Sequence, residues 1–405
     1  MRVTETGPGA GGGGDHFAPK YLVGNVLAGD PALAQGGAFR YFGDPGDGSG
    51  VAAALAAAAI TPGDVWVRPG TYNFGIGAAV LPLTVPTGVV MRGAGAGLTI
   101  FATPASPSTR GGISIFLVNG EVRDIGVHLV NPTTANAALS LAAVVVTGTG
   151  TARRVDMFSD TVTTPNNLGA LVAALQQQPG SLTEDIAMRL FPVAGNGGNP
   201  FVDLLVQAGG SPSSDLTRII RPRTLGSNSG GTGNSGGAVA ISVVQAHVLI
   251  VEPWLVDPSL GGIFVEADGV TWPDVQITDP YIVWRYSDVH TTGRNAIRVK
   301  AADDGGGHGG TVDSVRVTRG WFDNFSVLGT GSRAIVFTAG GAGGVVSTVK
   351  NCEVIGATCR NWDEAAHVAG TGISTVDANG VVDTDTGGAA INNVNDLNFR
   401  ALGNW

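Results

Sequence analysis

Apolar and polar residues alternate along this chain in short runs. Val65-Trp66-Val67, Leu83-Thr84-Val85 and Leu98-Thr99-Ile100-Phe101 are brief strand patterns, with glycine or proline punctuating the chain between them. Further on the runs become periodic. Ile263-Phe264-Val265, Ile297-Arg298-Val299, Ile335-Val336-Phe337 and Ile373-Ser374-Thr375 recur at spacings of 34, 38 and 38 residues. A second series falls between them: Val248-Leu249-Ile250, Val275-Gln276-Ile277, Val315-Arg316-Val317, Val349-Lys350-Asn351 and Val394-Asn395-Asp396. Two strand series sharing one period predict a solenoid with one coil per repeat. Glycine-rich inserts at 305–310 and 340–344 mark where its loops turn.

Three segments depart from that pattern. The alanine-rich stretch Val51 to Ile60, entered through Asp44-Pro45-Gly46-Asp47-Gly48 and stopped by Thr61-Pro62-Gly63, predicts a short helix lying against an apolar end. Residues 166–191 read as a helical insertion, Leu168 to Gln178 and Leu182 to Leu190, the second opened by the capping box Ser181-Leu182-Thr183-Glu184. Residues 1–43 start with a glycine-rich tail and continue with Phe17, Tyr21, Phe39, Tyr41 and Phe42 in no clear period, as an anchoring segment would.

The acidic turn, the alanine-rich helix and the strings VWVRPGTY and LTVPTGVVMRGAG carry a resemblance. They look like the N-terminal cap and first coils of the right-handed parallel β-helix of the pectate-lyase superfamily, as found in bacteriophage tailspikes and related virion fibres. The motif covers Asp44 to about Phe101. The fold class expected is therefore all-β, a β-helix from 44 to 405 behind the 1–43 attachment region. In such a fold the helix hides the apolar end of the solenoid.

Glycine numbers 64 of 405 residues, yet no G-X-Y period exists and 43% of the chain is hydrophobic, which excludes collagen and disordered linkers. The net charge of −9, without a cluster of basic residues and interleaved aromatics, argues against nucleic acid as a partner. No apolar run approaches the roughly 20 residues of a bilayer span, and no basic stretch leads into an apolar core at the N-terminus, so neither membrane insertion nor a signal peptide is expected. Cys352 and Cys359 are read as buried small hydrophobes, and no cofactor or metal site is expected; Asp303-Asp304 and Asp383-Thr384-Asp385 lack cation-loop spacing.

Aligned on the first valine, the second series puts Glu252, Asp279, Arg319, Glu353 and Asn398 at offset four, and Trp254, Tyr281, Trp321, Ile355 and Arg400 at offset six. Stacked rungs would make Glu252 and Asp279 a carboxylate pair for glycoside hydrolysis and the aromatics a sugar-stacking strip. The simpler expectation is that offset four is the tight turn between sheets and offset six an internal aromatic stack. On the first series Glu266 lies near Arg298 and Lys300, an expected surface ion pair. Ligand recognition is assigned to a long loop carrying Trp284, Arg285, Tyr286, Asp288, His290 and Arg294, extended by Trp321, Asp323 and Trp362, since rings cover apolar sugar faces while cations and amides bond hydroxyls.

The function expected is that of a spike or fibre subunit of a phage or phage-like particle. It would attach to another virion protein through residues 1–43 and bind host surface polysaccharide with its lateral face. The resemblance implies a homotrimer exposed on the particle surface. Two alternatives stand beside it: a depolymerase of the same fold, and a structural decoration protein without ligand.

Overall fold

The computed structural model describes residues 20–25, 40–74, 81–102, 115–129, 142–159, 173–189, 202–207, 214–225, 239–258, 261–285, 294–324, 332–340, 346–370, 373, 376–379, 381–383, 391–393 and 400–402. Every paired strand in it is parallel to its neighbour, and each pairs with strands about one repeat away. The chain is a right-handed parallel β-helix in which the described residues stack 11 strands in one sheet and 24 in another that bends around a corner.

One coil shows the plan. Gly261–Asp268 lies in the smaller sheet, Thr271–Thr278 on the first face of the larger, and Tyr281–Trp284 on its second face. Stacked apolar side chains fill the interior: Val248, Val275 and Val315 are in register and at most 1% exposed, as are Ile250, Ile277 and Val317. Such columns suit parallel stacking because each β-branched residue meets its like one rung away.

The repeats fall into register through Ile263, Ile297 and Ile335 on the first series and Val248, Val275 and Val315 on the second. Beyond Ile335 the registers expected from sequence slip. Ala366 and Ile391 continue the first series in place of Ile373. On the second, Val349 pairs with Val312, and Glu353 pairs with Arg316, which places Cys352 beside Val315. The register is constant across Thr348–Lys350 and Cys352–Ile355, with left-handed Asn351 following left-handed Ser314, so Glu353 stacks on Arg316 and Ile355 on Thr318 and both leave the columns assigned to them.

Helix α1, Ser49–Ile60, caps the solenoid, burying Val51, Ala54, Leu55 and Ala58. Buried Asp44 organises its start, its carboxylate accepting from the backbone N–H groups of Gly46, Asp47, Gly48, Gly50 and Val51. The last three are among the N–H groups a helix start leaves without intrahelical partners, and the first two belong to the turn that leads into it. Ahead of the helix, Tyr21–Asn25 pairs with Arg40–Asp44 and with Val65–Val67, so two strands from the segment expected to anchor the protein add to the sheet itself.

The helical insertion is not found. Ala173–Gln177, Leu182–Glu184 and Ala187–Arg189 are strands, each in register with neighbouring coils. The capping-box pattern gives way because Thr183, Ile186 and Met188 point into the core, and burying them across coils outweighs local helix preference. Residues 166–172 and 190–191 of that span lie outside the described part.

Candidate functional site

A column of residues in left-handed backbone conformation runs along the corner of the larger sheet. Asp124, Arg154, Asp185, Arg221, Glu252, Asp279 and Arg319 occupy it on successive coils, with φ between 49° and 59°, followed by Gly356. Its charges alternate over the first five rungs. Arg154 donates to both oxygens of Asp124 at 2.5 and 3.0 Å. Arg221 does the same to Asp185 at 2.7 and 3.0 Å and also reaches Glu184 at 2.7 Å.

These contacts set the protonation of the column. Burial pushes the Asp124 carboxyl up, but the hydrogen bond from Arg154 and the charges of Arg154, Arg92 and Arg123 reverse that, leaving it below the ordinary carboxylate range. The Arg221 hydrogen bond holds Asp185 low, and the Arg319 hydrogen bond does the same for Asp279. Of the expected carboxylate pair, Asp279 is therefore committed to Arg319, and Glu252 lies exposed one rung away.

Two residues past the corner runs a second, outward column: Gly126, Asp156, Ala187, Arg223, Trp254, Tyr281, Trp321 and Thr358, paired rung to rung. Trp254, Tyr281 and Trp321 are 42%, 38% and 41% exposed, so the aromatic series expected inside the solenoid is on its surface. The corner explains the difference. One left-handed residue breaks the strand's alternation, so Pro253, Pro280 and Gly320 turn inward and the aromatics that follow turn out. Trp254 and Tyr281 lie 6.1 Å apart between ring centroids, and the Arg223 guanidinium sits 5.7 Å from the Trp254 ring.

At the other end of this column small residues open a cleft of about 390 Å³, lined by Ala96, Asp124, Arg154, Asp156, Asp185, Ala187 and Arg223. Gly126 is required beside it, because a Cβ there would meet the Ala96 carbonyl oxygen at 2.2 Å. Burial holds the Asp156 carboxyl above its ordinary range, with Arg189 and Arg223 opposing the shift. One groove thus joins a carboxyl biased toward its neutral form, carboxylates held ionised and an exposed aromatic strip.

The loop residues singled out from sequence are largely elsewhere. Trp284 ends strand Tyr281–Trp284, is 1% exposed and packs edge-on against equally buried Trp362 at 5.4 Å. Trp362 donates its indole N–H to the Phe322 carbonyl. Buried Arg294 donates to Asn324 at 2.9 Å, and buried Asp323 accepts from Asn361 at 2.8 Å. These four residues belong to the interior of the fold, because the chain bends inward where sequence composition reads as an exposed loop. Exposed Arg285 is tied to Asp257. Tyr286, Asp288 and His290 lie outside the described residues. Among the described members of that set, only Trp321 stands on the groove. Glu266 meets Arg298 at 3.9 Å on the smaller sheet.

Asp156, Arg189 and Arg223 were missed by reading from sequence. A signal for the groove is nonetheless present: Arg221-Pro222, Glu252-Pro253 and Asp279-Pro280 each pair a charged corner with an inward proline, just ahead of an outward residue. Among the described residues no cluster of three or more metal-ligating side chains occurs, and no helix is long and apolar enough to cross a membrane.

No family model and no curated protein matches the sequence. Among solved structures the chain is similar to the catalytic unit of a thermostable GH87 alpha-1,3-glucanase from Streptomyces thermodiastaticus strain HF3-3. Identity is 15% over 87% of this chain and 65% of that one, with a TM-score of 0.48. It is also similar to the A-modules of two Azotobacter vinelandii mannuronan C-5 epimerases. For AlgE4 the identity is 16% over 87% of this chain and 95% of the other, at TM-score 0.44; for AlgE6 it is 15% over 88% and 96%, at 0.42. The chain spans 65% of the length of the glucanase unit.

Proposed function

We propose that the protein is a spike or fibre subunit of a phage or phage-like particle that binds a host surface polysaccharide along its outward aromatic column. The observation that carries the binding reading is the in-register exposure of Trp254, Tyr281 and Trp321. Large apolar rings on adjacent rungs of a rigid sheet contribute little to folding when they face water, and an exposed apolar patch marks an interaction surface. Sugar rings present apolar C–H faces that suit stacking on such rings, while Arg223 and Glu252 beside them offer partners for hydroxyl groups. Adjacent rungs lie about 4.8 Å apart, so a linear polymer lying parallel to the solenoid axis meets one ring per coil.

The particle assignment draws on the resemblance carried by the N-terminal strings and the capping helix. Attachment through residues 1–43 to another virion protein, a homotrimer and a place on the particle surface complete the proposal. The experiment is to incubate purified protein with capsular polysaccharide from candidate hosts, following binding together with release of reducing or unsaturated ends. Binding without release, lost in the Trp254→Ala/Tyr281→Ala/Trp321→Ala variant, is the expected result. Released oligosaccharide would reassign the protein as a depolymerase, and absence of binding to any host surface polymer would overturn the reading.

A further inference from the structure

We infer that the cleft end of the aromatic column is an anion subsite, in which Arg223 and Arg189 take the negatively charged substituent of a sugar whose neighbours stack on Trp254 and Tyr281. The inference rests on the polysaccharide reading above and narrows it to acidic polymers.

The argument starts from which guanidinium groups are already committed. Arg154 is ion-paired with Asp124, and Arg221 with Asp185 and Glu184. Arg189 and Arg223, both exposed, make no ion pair with any described carboxylate. Their position is fixed by the sheet: Arg223 pairs with Ala187 on one side and Trp254 on the other, and Arg189 lies two residues past Ala187, in register with Phe158. The Trp254 ring beneath Arg223 orients its planar fork without consuming its donors.

With the corner carboxylates paired to their arginines, the cleft wall keeps the Arg223 guanidinium and the Asp156 carboxyl, and Arg189 lies beside it, close enough for its charge to act on Asp156. Asp156 faces Arg189, Arg223 and the two ion-paired carboxylates of the cleft wall. Gly126 and Ala187 on either side of it leave room for a ligand substituent above the sheet. A carboxylate, sulfate or phosphate group fits the forks of Arg223 and Arg189 in charge and geometry. An ionised Asp156 opposes that anion and a neutral one does not, which makes Asp156 a positioning residue whose charge tunes affinity.

The test titrates the full chain with hyaluronate, dextran sulfate and neutral dextran as probes, comparing wild type with R189A/R223A, D156N and W254A/Y281A. An acidic probe should bind more tightly than dextran, and the double arginine variant should lose about tenfold to hundredfold of that affinity, the range expected for charge-assisted hydrogen bonds, with dextran unaffected. D156N should tighten acidic binding several-fold, a gain that a purely structural residue would not give. Preference for hyaluronate identifies the group as a carboxylate, and preference for dextran sulfate identifies it as a sulfate. Equal binding of all three probes, unchanged affinity in R189A/R223A, or weaker acidic binding in D156N overturns the subsite. If W254A/Y281A abolishes binding while the arginine variant does not, the subsite fails and the strip stands. If no probe binds the wild type, the polysaccharide reading fails and the subsite with it.

Discussion

Arg319 lays its guanidinium across both carboxylate oxygens of Asp279, at 2.6 and 2.7 Å, from forty residues along the chain and one rung along the solenoid. The same relation joins Arg154 to Asp124 and Arg221 to Asp185. Left-handed corners that must turn outward are thus occupied by charges that find their opposites by stacking.

The corner carboxylates predict an acid limb of stability. Asp124, Asp185 and Asp279 all lie below the ordinary range in the folded state. Their contribution is present above the unfolded carboxylate value of about 4 and is lost as pH falls through the lower folded values. Urea midpoints should therefore show no loss from these groups between pH 7 and 5, and decline below about pH 4. A midpoint that rose on acidification through that lower window would contradict the ion-paired ladder.

Asp156 predicts the opposite sign. Its folded value is raised by burial, so its contribution is favourable below the unfolded value and lost as pH rises through the folded one. Asp156→Asn should raise Tm at pH 7 by roughly 1–2 °C, the scale of a gain below 1 kcal/mol in a chain of this size, and the gain should vanish near pH 3. Scanning calorimetry of both proteins at the two pH values checks it.

The tryptophans separate into two classes. Trp362→Ala should cost about 3–5 kcal/mol in urea unfolding, because it empties a fully buried site packed on Trp284. Trp321→Ala should stay within about 0.5–1 kcal/mol of wild type, since its ring is 41% exposed. Similar losses in both variants would place the column inside the solenoid after all.

Asp44→Ala should destabilise by about 2–4 kcal/mol, since five backbone N–H groups in the turn and first turn of the capping helix lose their acceptor. Circular dichroism should show the helix signal melting before the β signal, as expected where a terminal cap is weakened locally.

Cys352 should resist iodoacetamide at pH 8 in the native protein and react on unfolding in guanidinium. Burial pushes its thiol up to about 12, which leaves almost no thiolate to attack. Mass spectrometry of the labelled protein reads the outcome.

The solenoid was legible in the sequence because each coil repeats the same demand: an alternating apolar triplet recurs wherever a strand must bury one side, and the chain cannot hide a parallel sheet without stacking coils. The capping helix was legible for a similar local reason, in its alanine run between turn clusters. What the sequence did not reveal is which side of each strand faces water beyond a corner. A single left-handed residue at Glu252, Asp279 or Arg319 shifts the alternation by one, turning Trp254, Tyr281 and Trp321 outward. Nor could it align Asp156 with that strip, because the two are 98 residues apart from Asp156 to Trp254 and meet only through the accumulated register of the intervening rungs. Periodicity is a local property of the chain and survives reading by eye. Facing and register are sums over corners and loops of unequal length, and only the assembled stack evaluates them.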